Sequence, residues 1–474
     1  MKITLINPAN NMVTSRGLLE NIAASLSIYP PLGLLYLASY MARYGSHEVN
    51  LIDCQREPGG IDSIEKYLRD TSPRIVGIYA VTFNLANVLA IAKIVKAVDE
   101  KITVCIGGPH CSVYPFQTIE FAEVDFVVRG DGEITLAELV DTIEHDGDFS
   151  AVKGILYKNE GKIVETPLRP FLDNLDVLPF PARHLVDKYS YRTLLGRNVP
   201  YTVMITSRGC PYQCIFCSRQ HQGYKIRSRS PENIVSEISE CVANGIQEIF
   251  FYDDLFNFDE QRVYEICDRI IAARLDFKWN IRARVDLMNR KMLERLNAAG
   301  CTRIQYGIEA GTDRMLKVLK KGITVEQARR VVADTKEAGI QMLLYFLIGA
   351  PTETKEDIMN TIRFAIELDP NYAMFAIVAP FPGTELYTRG LEQGIYGDCW
   401  KTYAQHPTAG FKLPFWTGDL SEQELNGLLK YAYKSFYFRP LYIMRHLGDA
   451  FSLKSMVQKA SFALDIWKHV TCKN

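Results

Sequence analysis

Cys210, Cys214 and Cys217 lie in the stretch Ser-Arg-Gly-Cys-Pro-Tyr-Gln-Cys-Ile-Phe-Cys-Ser, three thiols spaced C-x3-C-x2-C with no fourth cysteine close by. Thiolates hold iron in iron–sulfur clusters, and a cubane normally takes four of them. A tight trio therefore reads as an open-site 4Fe–4S cluster, three irons anchored and one bare. An iron with no protein ligand can bind a substrate or cofactor. Zinc gives a second reading, because His221 follows Cys217 by four residues and would complete a Cys3His set. Structural zinc sites, however, favour paired two-residue spacings.

The rest of the chain must position that loop. With 474 residues, 47% hydrophobic and 23% charged, a sizeable core is within reach and the composition is that of a soluble globular protein. Lys plus Arg number 54 against 55 Asp plus Glu, a net charge of −1, so no whole-protein field points to nucleic acid. Eleven mostly scattered cysteines fit a reducing cytoplasm better than a disulfide framework. The most apolar stretches, such as Gln341 to Pro351, fall short of the roughly 18 residues that span a bilayer, so no transmembrane span is expected.

From Lys2 to about Asp146, strand-like runs alternate with amphipathic helical segments, the pattern of a parallel sheet covered by helices. Strands are expected at Ile3–Asn7, Val49–Asp53, Ile75–Ala80, Thr103–Gly107 and Phe126–Arg129. Helices are expected at Pro31–Tyr44, Ile61–Asp70, Leu85–Asp99 and Thr135–Glu144. The strands run into polar or glycine-rich loops, among them Val-Thr-Phe-Asn at 81–84, Gly-Gly-Pro-His at 107–110 and Gly-Asp-Gly-Glu at 130–133. Ligands of open α/β sheets sit at the carboxyl ends of the strands, and glycines there let backbone approach a ligand closely. Residues 151–200 read as a connection, with a small hairpin around Glu160-Gly161 and prolines at Leu178-Pro-Phe-Pro181.

The alternation then resumes. Strands at Val203–Thr206, Glu248–Tyr252, Lys278–Ala283, Arg303–Gly307, Met342–Gly349 and Ala373–Ala379 are joined by helices at Pro231–Asn244, Glu260–Arg274, Arg290–Ala299, Thr324–Gly339 and Lys355–Asp369. Six such units make a partial TIM-like barrel, whose chemistry sits in the loops after the strands. Those loops carry Asp253-Asp254, the forked cations Arg282 and Arg284, Glu309, the turn Gly349-Ala-Pro351, and Phe381-Pro-Gly-Thr-Glu-Leu386. From Cys399 the chain becomes helical, clearest at Glu422–Tyr437 and Leu453–Trp467. Its aromatics Tyr431, Tyr433, Phe436 and Tyr437 read either as a lid over the barrel mouth or as a core-facing stripe. Lys454, Lys459, Trp467 and Lys468 allow a third reading, a membrane-surface segment.

The cysteine loop, down to the aromatic Phe216 before its last cysteine, resembles that of the radical S-adenosylmethionine (SAM) family. The five barrel loops resemble the same family, the Asp-Asp form at 253–254 being like its cobalamin-dependent branch. The resemblance implies an α/β fold: a Rossmann-like cobalamin-binding domain over 1–150, a linker over 151–200, a partial (βα)6 radical SAM barrel over 201–398 and a helical region over 399–474. It implies that Cys210, Cys214 and Cys217 ligate a 4Fe–4S cluster and that SAM is met by Asp253, Asp254, Arg282, Arg284, Glu309, Gly349 and Pro351. Cobalamin would be met by Thr82, Gly107, Gly108, His110, Gly130 and Glu133, with its nucleotide tail buried in the sheet. Many cobalamin proteins carry Asp-x-His-x-x-Gly, whereas here Asp53 is followed by Gln55, and Gly59 comes one place late, so no lower histidine ligand is available there. The implied activity is that of a cytoplasmic enzyme that cleaves SAM reductively to a 5′-deoxyadenosyl radical and methylates an unactivated carbon of a small-molecule, lipid or tetrapyrrole substrate. Its electrons would come from a donor such as flavodoxin or ferredoxin. Two alternatives stand beside it: an oxidative cyclase with the same domains, as in anaerobic magnesium-protoporphyrin ester cyclases, and a non-enzymatic cobalamin or iron–sulfur sensor.

Overall fold

A computed structural model describes residues 1–9, 27–45, 47–193, 199–408, 410–418 and 420–448. The helix expected at Leu453–Trp467 lies outside the described residues.

The first sheet is built on β1 (Lys2–Asn7), β2 (Glu48–Asp53), β3 (Ile75–Tyr79), β4 (Thr103–Gly107) and β5 (Phe126–Val128), all parallel. Their near-continuous apolar runs suit strands covered on both faces. The hairpin β6 (Ile155–Asn159) and β7 (Lys162–Glu165), expected within the connection, extends this sheet, with β6 antiparallel to β5. The strand order is β2-β1-β3-β4-β5-β6-β7. The chain runs from β1 out to β2 on one side and then crosses back past β1 to β3 on the other, which opens a crevice at the carboxyl ends of β1 and β3. Helices α1 (Leu32–Tyr44), α2 (Ser63–Thr71), α3 (Leu85–Val98) and α4 (Gly132–Glu144) cover the sheet. The α1 and α4 helices pack together on one face, while α2 and α3 lie on the other.

The second sheet has six parallel strands in sequential order: β8 (Tyr201–Met204), β9 (Glu248–Phe251), β10 (Lys278–Ala283), β11 (Cys301–Glu309), β12 (Gln341–Ile348) and β13 (Tyr372–Ile377). Helices α5 (Pro231–Ala243), α6 (Glu260–Ala272), α7 (Arg290–Ala298), α8 (Val325–Glu337) and α9 (Lys355–Leu368) follow strands β8 to β12 in turn. The result is an open six-strand barrel. Successive strand residues point to opposite faces. Met204, Ile249 and Phe251 therefore pack in the core that the barrel's own helices build, whereas Tyr201, Val203 and Phe250 share the core of the first domain. The inner wall of the barrel thus faces the first sheet.

The helix α10 (Glu422–Tyr437) covers the open edge at β13. Tyr433 Oη accepts from the Phe375 N–H at 3.3 Å and donates to the Phe375 carbonyl at 2.9 Å. Tyr437 does the same with Ala373, at 3.1 and 2.8 Å. Two phenols stand in for the missing neighbour strand, so these two tyrosines seal an edge instead of closing the mouth.

Candidate active site

The cysteine loop starts and ends as a short antiparallel pair, Ser207–Arg208 with Arg227–Ser228. Above it, the Gly209 N–H donates to Gln222 Oε1 at 3.2 Å and the Cys210 N–H to the Gly223 carbonyl at 3.4 Å. Midway, the buried Ile215 pins the loop to the barrel. Its N–H donates to the Leu319 carbonyl at 3.2 Å, and its own carbonyl accepts from the Leu386 N–H at 2.9 Å. The segment Phe381 to Leu386 therefore lies against the cysteine loop. Burial pushes the Cys210 thiol up and the Cys217 thiol to about 11, so thiolates here call for a cation among them.

Several carboxylates and cations expected to face a ligand are occupied by the protein itself. Asp253, at the end of β9, accepts from the Thr206 N–H at 2.6 Å, from the Thr206 hydroxyl and from the Ser207 hydroxyl at 2.9 Å. Its buried carboxyl thus ties strand β9 to the start of the cysteine loop. Arg284 forks onto Asp286 at 2.9 and 3.1 Å, donates to the Lys321 carbonyl at 2.7 Å and stacks over the Tyr212 ring of the cysteine loop at 3.5 Å. Glu309 accepts from Lys321 Nζ at 2.8 Å in a buried pair, with a left-handed φ of +73° beside a register shift in β11. These three brace the loop and the strand ends.

Asp254 and Arg282 differ: both line a cavity of about 580 Å³ between the carboxyl ends of the first sheet and the inner wall of the barrel. Arg282 stacks on the Tyr252 ring at 4.0 Å. Burial holds the Asp254 carboxyl above the usual range, and the nearby Arg282 and Arg219 cations only partly offset it. From the first domain the wall is formed by Gly107, Gly108, Gly130 and Glu133, together with Gln55. Thr82 and His110 do not line it. They bond to each other at 3.2 Å behind the wall, where burial pushes His110 down to about 3 and keeps it neutral.

The cavity also runs down one face of the first sheet as a slot between Leu5, Gly77, Cys105 and Val128 and the helices α1 and α4. Gly77 keeps it narrow but open: a Cβ there would sit 2.8 Å from Leu5 Cδ2, its register neighbour on β1. At Gly108, φ is +115° and a Cβ would lie 2.6 Å from the Ala80 carbonyl oxygen, so only glycine forms that turn without strain. A cavity that reaches from the strand ends down one face of the sheet has room for a ligand carrying a tail.

In the turn after β12, Glu353 Oε2 accepts from the Gly349 and Ala350 N–H groups at 2.6 and 2.9 Å. Burial pushes this carboxyl up to about 7. Gly349 packs under Leu425 of α10, and Pro351 is buried beside it.

Residues that spacing alone did not single out join the domains. Arg208 Nη2 donates to Glu133 Oε1 at 2.5 Å and Nη1 to Asp131 Oδ1 at 3.0 Å, while Arg227 pairs with Asp131 Oδ2. Glu237 on α5, fully buried, pairs with Arg183 of the connection at 2.5 Å and with Arg229 beyond the cysteine loop. A short run such as Gly-Asp-Gly-Glu shows that carboxylates end a strand, but nothing in it names cations some 75 residues away.

Comparison with known proteins bears on both halves. Residues 204–365 match the model of the radical SAM superfamily and residues 21–140 that of the B12 binding domain. An uncharacterized methyltransferase of Pyrococcus horikoshii is 36% identical over 424 residues, covering 89% of this chain and 90% of that protein. The chain belongs to the cobalamin-binding radical SAM family. The anaerobic magnesium-protoporphyrin IX monomethyl ester cyclase of Rubrivivax gelatinosus is 29% identical, over 76% of this chain and 66% of its own length. Among solved structures, the cobalamin-dependent SAM radical enzyme OxsB, with aqua-cobalamin and SAM bound, aligns with a TM-score of 0.74 at 18% identity, covering 98% of this chain and 72% of that one, a likeness of fold.

The cofactors that go with a radical SAM barrel and a B12 binding domain are a 4Fe–4S cluster, SAM and cobalamin. The residues present fit them: three thiols on a loop pinned at both ends, a cation and a carboxyl lining the adjoining chamber, and glycines along its wall. No described helix is long and apolar enough to cross a membrane.

Proposed function

We propose that this radical SAM enzyme is a C-methyltransferase acting on an unactivated carbon of a small-molecule, lipid-like or tetrapyrrole substrate in the cytoplasm. The observation that carries this reading is the single continuous cavity, with the glycine-rich strand ends of the cobalamin domain on one wall and Asp254, Arg282 and His221 of the barrel on the other. When bound, the cofactors supply a 5′-deoxyadenosyl radical from SAM and a transferable methyl group on cobalamin.

The chain's own part is to hold and to shield. Arg282, fixed over Tyr252, offers a planar fork to a carboxylate, and Asp254 accepts from an ammonium beside it. Gly107, Gly108 and Gly130 let a flat ligand lie on backbone. The inner barrel wall and the first sheet flank the chamber on opposite sides, which limits the water around a reactive radical. A small electron carrier such as flavodoxin or ferredoxin would reduce the cluster.

The test is anaerobic reconstitution with dithionite and SAM labelled in its methyl group. Formation of 5′-deoxyadenosine with transfer of the label to a product is expected; no 5′-deoxyadenosine from a protein with a full cluster would overturn the reading. A second reading, an oxidative cyclase, is favoured by the similarity to the Rubrivivax gelatinosus cyclase. It predicts ring closure or oxygen gain with no label transferred.

A further inference from the structure

The neck of the cysteine loop presents an electrostatic problem that the first domain solves. Arg208 and Arg227 are register neighbours across the short antiparallel pair, two residues ahead of Cys210 on one side and ten beyond Cys217 on the other. Like charges directly opposite each other on paired strands repel. Both side chains are largely withdrawn from solvent, with 11% of Arg208 and 2% of Arg227 exposed. Water therefore screens them little.

The compensating charge comes from another domain. Asp131 bridges both guanidinium groups, and Glu133 takes the second fork of Arg208. Arg227 is further committed to the Leu172 and Gln222 carbonyls at 3.1 and 3.0 Å and stacks over Phe171 at 4.6 Å. Two cations and two anions leave the neck neutral. Asp131, Glu133 and Arg208 also line the cavity, so one wall serves both the chamber and the loop.

A 4Fe–4S centre gains a negative charge on reduction, and the charge and hydrogen bonding around such a centre set its potential. We propose that Asp131 and Glu133 are positioning residues that tune the reduction potential of the cluster by compensating the positive charges of Arg208 and Arg227 at the neck of its loop. The proposal rests on the family's cluster and not on methyl transfer.

The test needs no turnover. The full chain is reconstituted with iron and sulfide, without SAM or cobalamin, and the midpoint is read by redox titration followed by electron paramagnetic resonance. Glu133→Gln leaves Arg208 under-compensated and raises the midpoint, so that at the wild-type midpoint the reduced cluster outnumbers the oxidised by about threefold or more. Arg208→Gln lowers it, and the double variant returns toward wild type, as an interaction within one pair requires. Glu133→Asp keeps the charge and the wild-type midpoint. Glu138→Gln, on the same helix but paired with Arg169, leaves the midpoint where it was. Where Glu133→Gln takes up iron poorly, Asp131→Asn reports the same upward shift through Arg227.

A wild-type midpoint in fully loaded Glu133→Gln and Asp131→Asn would overturn the proposal. So would shifts of Glu133→Gln and Arg208→Gln in the same direction, the signature of a loosened loop. Either result leaves the methyltransferase reading standing, and a failure of methyl transfer leaves the midpoints interpretable.

Discussion

Glu353 sits 4% exposed in the turn after β12, with both of its hydrogen bonds made to backbone N–H groups of the Gly349–Ala350 turn. Burial raises its carboxyl from an ordinary 4.5 to about 7. A raised carboxyl binds its proton more tightly in the folded chain than in the unfolded one. The associated stability is therefore complete below about pH 4.5 and is lost as pH rises through about 7. The difference between those values converts, at about 1.36 kcal/mol per pH unit, to roughly 3 kcal/mol. The substitution Glu353→Gln isolates this contribution, since the amide oxygen still accepts both N–H groups but never ionises. Urea unfolding of anaerobic apoprotein, followed by tryptophan fluorescence, is the assay. At pH 8 the variant should exceed wild type by about 3 kcal/mol, and at about pH 5 the two should agree within about 1 kcal/mol. A difference that stays constant between those pH values, or a wild type that gains on the variant as pH rises, would refute the reasoning.

Three further outcomes follow from the geometry. Cys214→Ala should abolish the visible absorption of the cluster, and iron and sulfide retained at wild-type levels would contradict the ligand assignment. Gly108→Ala, which drives a Cβ into the Ala80 carbonyl, should weaken retention of hydroxocobalamin on gel filtration by about tenfold or more while iron content stays unchanged. Tyr433→Phe should cost about 2 kcal/mol in urea unfolding, because the Phe375 N–H and carbonyl lose the hydroxyl that satisfies both, and a cost near zero would mean that water replaces it.

The regular elements were legible wherever local pattern and burial agree. Thr103–Gly107, Lys278–Ala283 and Glu422–Tyr437 form over the same residues that their periodicity indicates. The first is an apolar run stopped by a glycine, the second alternates polar Lys278, Asn280 and Arg282 with apolar Trp279, Ile281 and Ala283, and the third begins at Ser421, whose hydroxyl caps the helix in concert with Glu424. The role of a charged residue at a strand end was less legible. Asp253 and Asp254 are adjacent and alike in sequence, yet in the loop just past β9 the first is tied to Thr206 and Ser207 while the second lines the chamber. Arg282 and Arg284 divide differently: the first lines the chamber against Tyr252, while Asp286, two residues on, claims the second. The joint between the domains was not legible at all, since its charges meet only after both sheets exist.

The phenol-sealed margin of the barrel has a practical consequence for anyone dividing the chain. A fragment stopped at residue 398 would keep all six strands and the cysteine loop but strip Tyr433 and Tyr437 from β13. The bare amides of Ala373 and Phe375 would then be templates for another molecule's strand. Such a piece should come out of the cell as aggregates, while an excision carried through Tyr437 stays dispersed. The helix Glu422–Tyr437 is thus a solubility device as much as a part of the core.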